Sequence, residues 1–129
     1  ERDRGLQLAG LSIAPDDLMV ASIGRLHPDK GHEYAIRAWP LVLQQLPRAR
    51  LLIVGDGADE KRLRSLIDEL GLADAVILAG FRSDLGAILT RAELLVRASV
   101  NEGVNLTTIQ AMAAGLPVVG FANLAPKEI

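Results

Sequence analysis

Glu102-Gly103-Val104-Asn105-Leu106 brings a carboxylate, a glycine and a run of main-chain amides to the point where a polar loop becomes a helix. Gln110 follows one or two turns into that helix. A helix start of this kind is a ready small-molecule site, because its first amides have no partner within the helix and carry the positive end of its dipole. A second stretch, Gly24-Arg25-Leu26-His27-Pro28-Asp29-Lys30-Gly31, sets two cations around another helix start. Arg25, Lys30, free N–H groups and the dipole together suit a phosphate or a diphosphate, and Gly24 and Gly31 would let the backbone come close to it. Alone, each element has a plainer reading. Arg25 and Lys30 equally fit solvated surface charges, Glu102 a favourable partner for the helix dipole, and Asn101 and Asn105 turn or capping residues. His27 and His32 flank the basic loop and read as surface residues with no part in proton transfer.

The elements that must position these residues alternate along the chain. Residues 1–17 form a lead-in, with a short helix over Arg4–Leu11 and a turn at Ala14-Pro15-Asp16-Asp17. The apolar runs at 18–23, 51–54, 76–79, 94–96 and 118–121 read as strands. The periodic stretches at 32–46, 59–70, 84–91 and 106–114 read as helices. Pro40 predicts a kink or a restart in the first of these. Gly71 is placed to cap the second, and Ser83 or Asp84 the third. Strands that are continuously apolar, rather than alternating, belong to a sheet covered on both faces. With right-handed crossovers this predicts a five-stranded parallel α/β sheet with helices on both faces, Rossmann-like, in the order 3-2-1-4-5. Strands 1 and 4 are then neighbours at the reversal of strand order. The basic loop and the loop over Ala98–Asn105 would face each other across one crevice there, where ligands of such sheets bind.

Composition narrows the partners. The 129 residues are half apolar and 23% charged, with a net charge of −2, no cysteine and two histidines. That is enough chain for one domain with a core. It gives no electrostatic reason for nucleic acid, and it excludes disulfides and thiolate metal sites. No signal peptide is visible, and the apolar region near the end is broken by Gly115, Pro117 and Gly120, so a cytoplasmic location is expected. The chain has no initiating Met, and Pro126-Lys127-Glu128 leads toward another element. A fragment of a longer protein, 18–129 forming its binding domain, is the expectation, and a truncated sheet edge would favour oligomerisation through apolar surface. The G-x-G-x-x-G dinucleotide fingerprint, the P-loop and the nucleophile elbow are all absent.

Taken in order, Gly24-Arg25-Leu26, Asp29-Lys30-Gly31, Val54-Gly55-Asp56-Gly57, Gly80-Phe81, Glu102-Gly103 and Ala111-Met112-Ala113-Ala114-Gly115-Leu116-Pro117-Val118-Val119 resemble the C-terminal, donor-binding domain of retaining GT-B glycosyltransferases, family 4 in particular. The resemblance covers roughly residues 18–129. It implies that a nucleotide-diphosphate sugar binds in the cleft toward an N-terminal acceptor-binding domain of the same protein. Arg25 and Lys30 match the basic pair on the donor diphosphate, stabilising the leaving group in place of a metal. Glu102 matches the first of two acids seven residues apart, near the donor sugar, and Gly103 to Leu106 match the loop over the sugar and phosphates. Position 110 matches the second acid, on the ribose, and Arg82 lies in a segment that frames the base. No metal and no further cofactor are implied; peripheral membrane association, where it occurs, would run through the acceptor half.

The sequence departs from the pattern at several positions. Gln110 stands for Glu, Val104-Asn105 for Phe and Gly, Arg97-Ala98-Ser99 for a Pro-Ser entry, and Leu124-Ala125 for Gly-Gly. Gln110 can still accept from a ribose hydroxyl, without the charge. The implied function is the donor half of a hexosyltransferase acting on a sugar or lipid-linked acceptor, with the isolated fragment inactive. The alternatives are a silent nucleotide-binding or interaction module, which Gln110 and Leu124-Ala125 keep in play, and a GT-B nucleotide-sugar epimerase, which the spacing of Glu102 to Ala111-Met112 disfavours.

Overall fold

The computed structural model describes residues 10–97 and 106–120, the side chain of Leu106 excepted. Five parallel strands, β1 (Leu18–Ile23), β2 (Ala49–Val54), β3 (Val76–Gly80), β4 (Leu94–Arg97) and β5 (Val118–Gly120), lie in the order β3-β2-β1-β4-β5. They alternate with α1 (His32–Gln45), α2 (Glu60–Glu69), α3 (Leu85–Arg91) and α4 (Leu106–Ala113). The predicted order and all nine elements are present, with ends moved by one or two residues. The short helix expected over Arg4–Leu11 falls almost wholly outside the described residues.

The period of two along each strand divides the core. Val20, Leu51 and Ile53 point to one face and pack with Ile36 and Trp39 of α1 and Leu63, Leu66 and Ile67 of α2. Met19, Ala21, Leu52 and Val54 point to the other and pack with Ile88 and Leu89 of α3 and Ala111 of α4. Each such fully buried aliphatic side chain contributes about 1.5–3 kcal/mol relative to an exposed one, so neither face can be spared. β1 is the axis: all six of its residues pair with β2, and Val20 and Ala21 pair with Leu94 and Leu95 of β4.

α1 runs through Pro40 as one helix, so the expected restart does not occur. The ring removes the bond to the Ile36 carbonyl, but Ile36 and Trp39 are buried against the sheet, and the Trp39 indole donates to the Ala49 carbonyl at 3.3 Å. Tertiary packing therefore holds the helix across the gap. Gly71, in the left-handed conformation at φ +68°, follows the end of α2 as expected. Asp84 stands at the start of α3 but makes no side-chain cap there, because its carboxylate is taken by Arg82.

At the amino ends of the strands, Arg91 anchors the segment before β1. Only 1% exposed, it donates to the Ala14 and Asp17 carbonyls, each at 2.9 Å. Asp17 in turn pairs with Arg48 at 2.8 Å, and Leu11 and Ile13 pack on the α3 side of the core. On the α1 side, an apolar groove of about 410 Å³ runs between α1 and the strands β1 and β4, past Tyr34, Ala38, Val42, Leu46, Leu94 and Val96.

Candidate functional site

The carboxyl ends of β1, β2 and β3 open into a cavity of about 190 Å³. Gly24 and Arg25 form one wall, Gly55 and Asp56 a second, Phe81 and Arg82 a third. Each pair directly follows a strand, so register alone brings the three together.

Two glycines let the first two walls meet. A Cβ on Gly55 would lie 2.0 Å from the Gly24 carbonyl oxygen, and one on Gly57 2.5 Å from the Leu26 carbonyl oxygen. Both residues have φ values that L side chains rarely adopt, +142° and +154°. In the space so gained, the loops bond reciprocally: the Leu26 amide donates to the Asp56 carbonyl and the Asp59 amide to the Leu26 carbonyl, each at 2.9 Å.

The basic loop closes as a single 3-10 turn, Pro28–Lys30, with Gly31 left-handed at φ +70° between it and α1. That turn folds Lys30 back, and its aliphatic stem lies 3.8 Å from where a Cβ of Gly24 would be. Arg25 is exposed and forms no ion pair among the described residues. Its backbone amide makes no hydrogen bond among them either. Arg82 differs: it grips Asp84 in a two-pronged pair at 2.9 and 2.6 Å. That carboxylate raises the guanidinium's already high pKa, and the guanidinium lowers that of Asp84. Among the described residues, then, Arg25 brings a cation without an ion pair to the cavity, while Arg82 presents a guanidinium held by Asp84. Asp56, exposed, lines the same cavity.

His32 overturns its reading as a surface residue. It is 3% exposed, as the first residue of α1 turned under the basic loop. Its Nδ1 lies 3.0 Å from the Ser22 hydroxyl, and its Nε2 lies 3.1 Å from the Arg25 carbonyl and 3.3 Å from the Gly24 carbonyl. Carbonyls only accept, so Nε2 carries the proton and Nδ1 accepts from Ser22. Burial lowers the imidazole pKa below 6.5; the two carbonyls and Asp59 oppose the shift, and Lys30 adds to it. His27 is exposed, as expected.

The structure therefore gathers Gly24, Arg25 and Arg82 at one cavity and sets Lys30 beside Gly24. Gln110 is exposed on α4. Leu106 opens that helix, and Glu102, Gly103, Val104 and Asn105 lie outside the described residues, as does the facing loop over 98–105. Sequence reasoning gave no site role to His32, Gly55, Gly57 or Phe81, the last 75% exposed at the cavity rim. The signal for His32 was a serine inside an otherwise apolar strand and a histidine opening the next helix. Among the described residues no three histidine or acidic side chains come together as a metal site.

A doubly wound parallel sheet with a cavity at the carboxyl strand ends defines a Rossmann-like α/β domain. The family model for glycosyl transferases group 1 matches residues 3–129, and the chain belongs to that family. It is 34% identical over 119 residues to an uncharacterized glycosyltransferase of Methanocaldococcus jannaschii, covering 92% of this chain and 29% of that protein. It is 29% identical to the poly(glycerol-phosphate) alpha-glucosyltransferase of Bacillus subtilis, covering 92% of this chain and 18% of the enzyme. Among solved structures, Anabaena HepE in complex with UDP and glucose superposes with a TM-score of 0.77 at 28% identity, over 88% of this chain and 32% of that one. The fold is that of a GT-B glycosyltransferase domain, and the chain spans a third or less of each of these proteins.

Proposed function

We propose that this domain is the donor half of a retaining glycosyltransferase and binds a nucleoside-diphosphate sugar with its diphosphate over the Gly24–Lys30 loop. The observation that carries the reading is the combination at Gly24-Arg25: a guanidinium and a backbone amide, both without a partner among the described residues, on a cavity at the strand ends. Cation and amide both favour an anion, and a hydrogen bond to a charged group is about twice as strong as a neutral one. The relative solved with UDP and glucose supports the same ligand class.

In this reading the bond between the anomeric carbon and the diphosphate oxygen breaks as the acceptor hydroxyl bonds to that carbon on the same face. The hydroxyl proton leaves with the diphosphate or to solvent. Arg25 and Lys30 meet the charge that develops on the leaving diphosphate, where preorganised cations act most strongly. Glu102 stands near the donor sugar, the amides of Gly103 to Leu106 cover sugar and phosphates, Gln110 accepts from the ribose, and Arg82 with Phe81 borders the base. The acceptor, a sugar or a lipid-linked sugar, binds an N-terminal domain of the same protein.

Calorimetric titration with UDP, GDP and ADP at low salt tests the reading. One of the three should bind, and Arg25→Ala or Lys30→Ala should weaken it more than tenfold. Unchanged affinity in both variants would remove the diphosphate from this loop.

A further inference from the structure

We infer that His32 is a positioning residue that fixes which way the Gly24–Arg25 peptide faces, and so presents an N–H rather than a C=O to the anion. The inference rests on the diphosphate reading above and goes one step deeper into the same site.

A trans peptide is planar, with its carbonyl and its N–H pointing in opposite directions. The Gly24 carbonyl is drawn inward to His32 Nε2, 3.3 Å away. The Arg25 amide of the same peptide therefore points away from His32; Gly24 and Arg25 both line the cavity, and this amide makes no bond among the described residues. The next carbonyl, that of Arg25, is held by the same nitrogen at 3.1 Å, so two successive peptides are fixed by one donor. Gly55 completes the device from the other side, since a Cβ there would fall 2.0 Å from the Gly24 oxygen. Ser22, 2% exposed in β1, donates to Nδ1 and keeps the proton on Nε2.

Without the imidazole, the peptide is preceded by a glycine whose ψ is permissive. A flip would then turn a carbonyl oxygen toward the cavity, where it would repel a phosphate. Lys30 and Asp59, the charged groups that act on His32, do not replace this bond: Lys30 has no acceptor role and Asp59 no proton to give.

The test uses the full-length protein and whichever of UDP, GDP and ADP it binds most tightly. His32→Gln sets an amide N–H2 near the place of Nε2, His32→Asn sets one near the place of Nδ1, and His32→Leu has neither. His32→Leu and His32→Asn should weaken nucleoside-diphosphate binding about tenfold, the scale of one hydrogen bond to an anion, and His32→Gln should stay within about threefold of wild type. Where His32→Leu fails to fold, His32→Asn carries the same comparison. Wild-type affinity in His32→Asn, or a loss in His32→Gln as large as in His32→Asn at equal thermal midpoints, would overturn the inference. Arg25→Ala separates the two levels. If it weakens binding and His32→Asn does not, the His32 assignment alone fails; if it leaves binding unchanged, the diphosphate reading fails and takes this inference with it.

Discussion

Side by side, Arg25 and Arg82 show how the same residue type takes two roles. Arg25 is exposed with no counter-ion among the described residues, whereas the fork of Arg82 is filled by Asp84. Only the first can meet a ligand's charge without first breaking a pair. His32 carries a further consequence through its protonation. Its folded pKa is lowered, so below 6.5 the unfolded chain binds more protons at this position than the folded one. Stability then rises with pH through that window and falls as the pH drops below 6.5. The slope from one group is at most about 1.4 kcal/mol per pH unit. Thermal midpoints measured between pH 7 and pH 5 should fall more steeply for wild type than for His32→Gln, which has no such group to titrate. Parallel curves would mean that His32 is not held neutral. In sequence, Arg25 and Lys30 stood out only once the ordered motifs were taken together, since alone they fit solvated surface charges equally well; the fold sets Arg25 on the cavity and the stem of Lys30 beside Gly24. His32 was not, because a histidine beside a basic loop looks like another solvated polar residue until the fold turns it inward toward Ser22.

At the level of elements, the strands and helices were readable because each strand is apolar on both faces and each helix carries a stripe. The order was expected from right-handed crossovers together with the Rossmann-like arrangement. Whether α1 would restart at Pro40 was not readable, since local propensity allows a break and it is the burial of Ile36 and Trp39 that holds the helix together. The close crossing of the loops after β1 and β2 was also hidden: Gly55-Asp56-Gly57 reads as an ordinary turn, and nothing local says that the Gly24 and Leu26 carbonyls will lie against it. Gly55→Ala should therefore be costly. Its Cβ meets backbone at 2.0 Å, which cannot swing aside as a flexible side chain would, and its φ is unfavourable as well. A loss of about 2 kcal/mol or more is expected, from strain and overpacking together, read as a lower denaturation midpoint. Gly71→Ala, at a left-handed φ of +68° with nothing within 4 Å, should lose only the conformational part, about 1 kcal/mol. Equal losses in the two would show that the crossing of the loops is loose.

Across the whole molecule, the sheet is covered unevenly. α3 and α4 shield one face, while on the other the groove of about 410 Å³ leaves Leu94 and Val96 of β4 beside Tyr34 and Leu46, which are 49% and 48% exposed. Parallel sheets are stable with both faces buried, so the 129-residue chain on its own should bind an apolar dye such as ANS in this groove. Leu46→Glu, at the exposed rim, should cut the fluorescence several-fold without lowering the thermal midpoint; undiminished fluorescence would place the dye elsewhere. The reciprocal bonds between Leu26, Asp56 and Asp59 have a consequence of another kind. They make the loop after β1 and the entry to α2 a single mechanical piece, so a ligand that steadies Arg25 also steadies the first turn of a helix that does not line the cavity. Occupancy would then be written into the exchange of the Leu26 and Asp59 amides with heavy water, two slowed protons on different elements reporting one event.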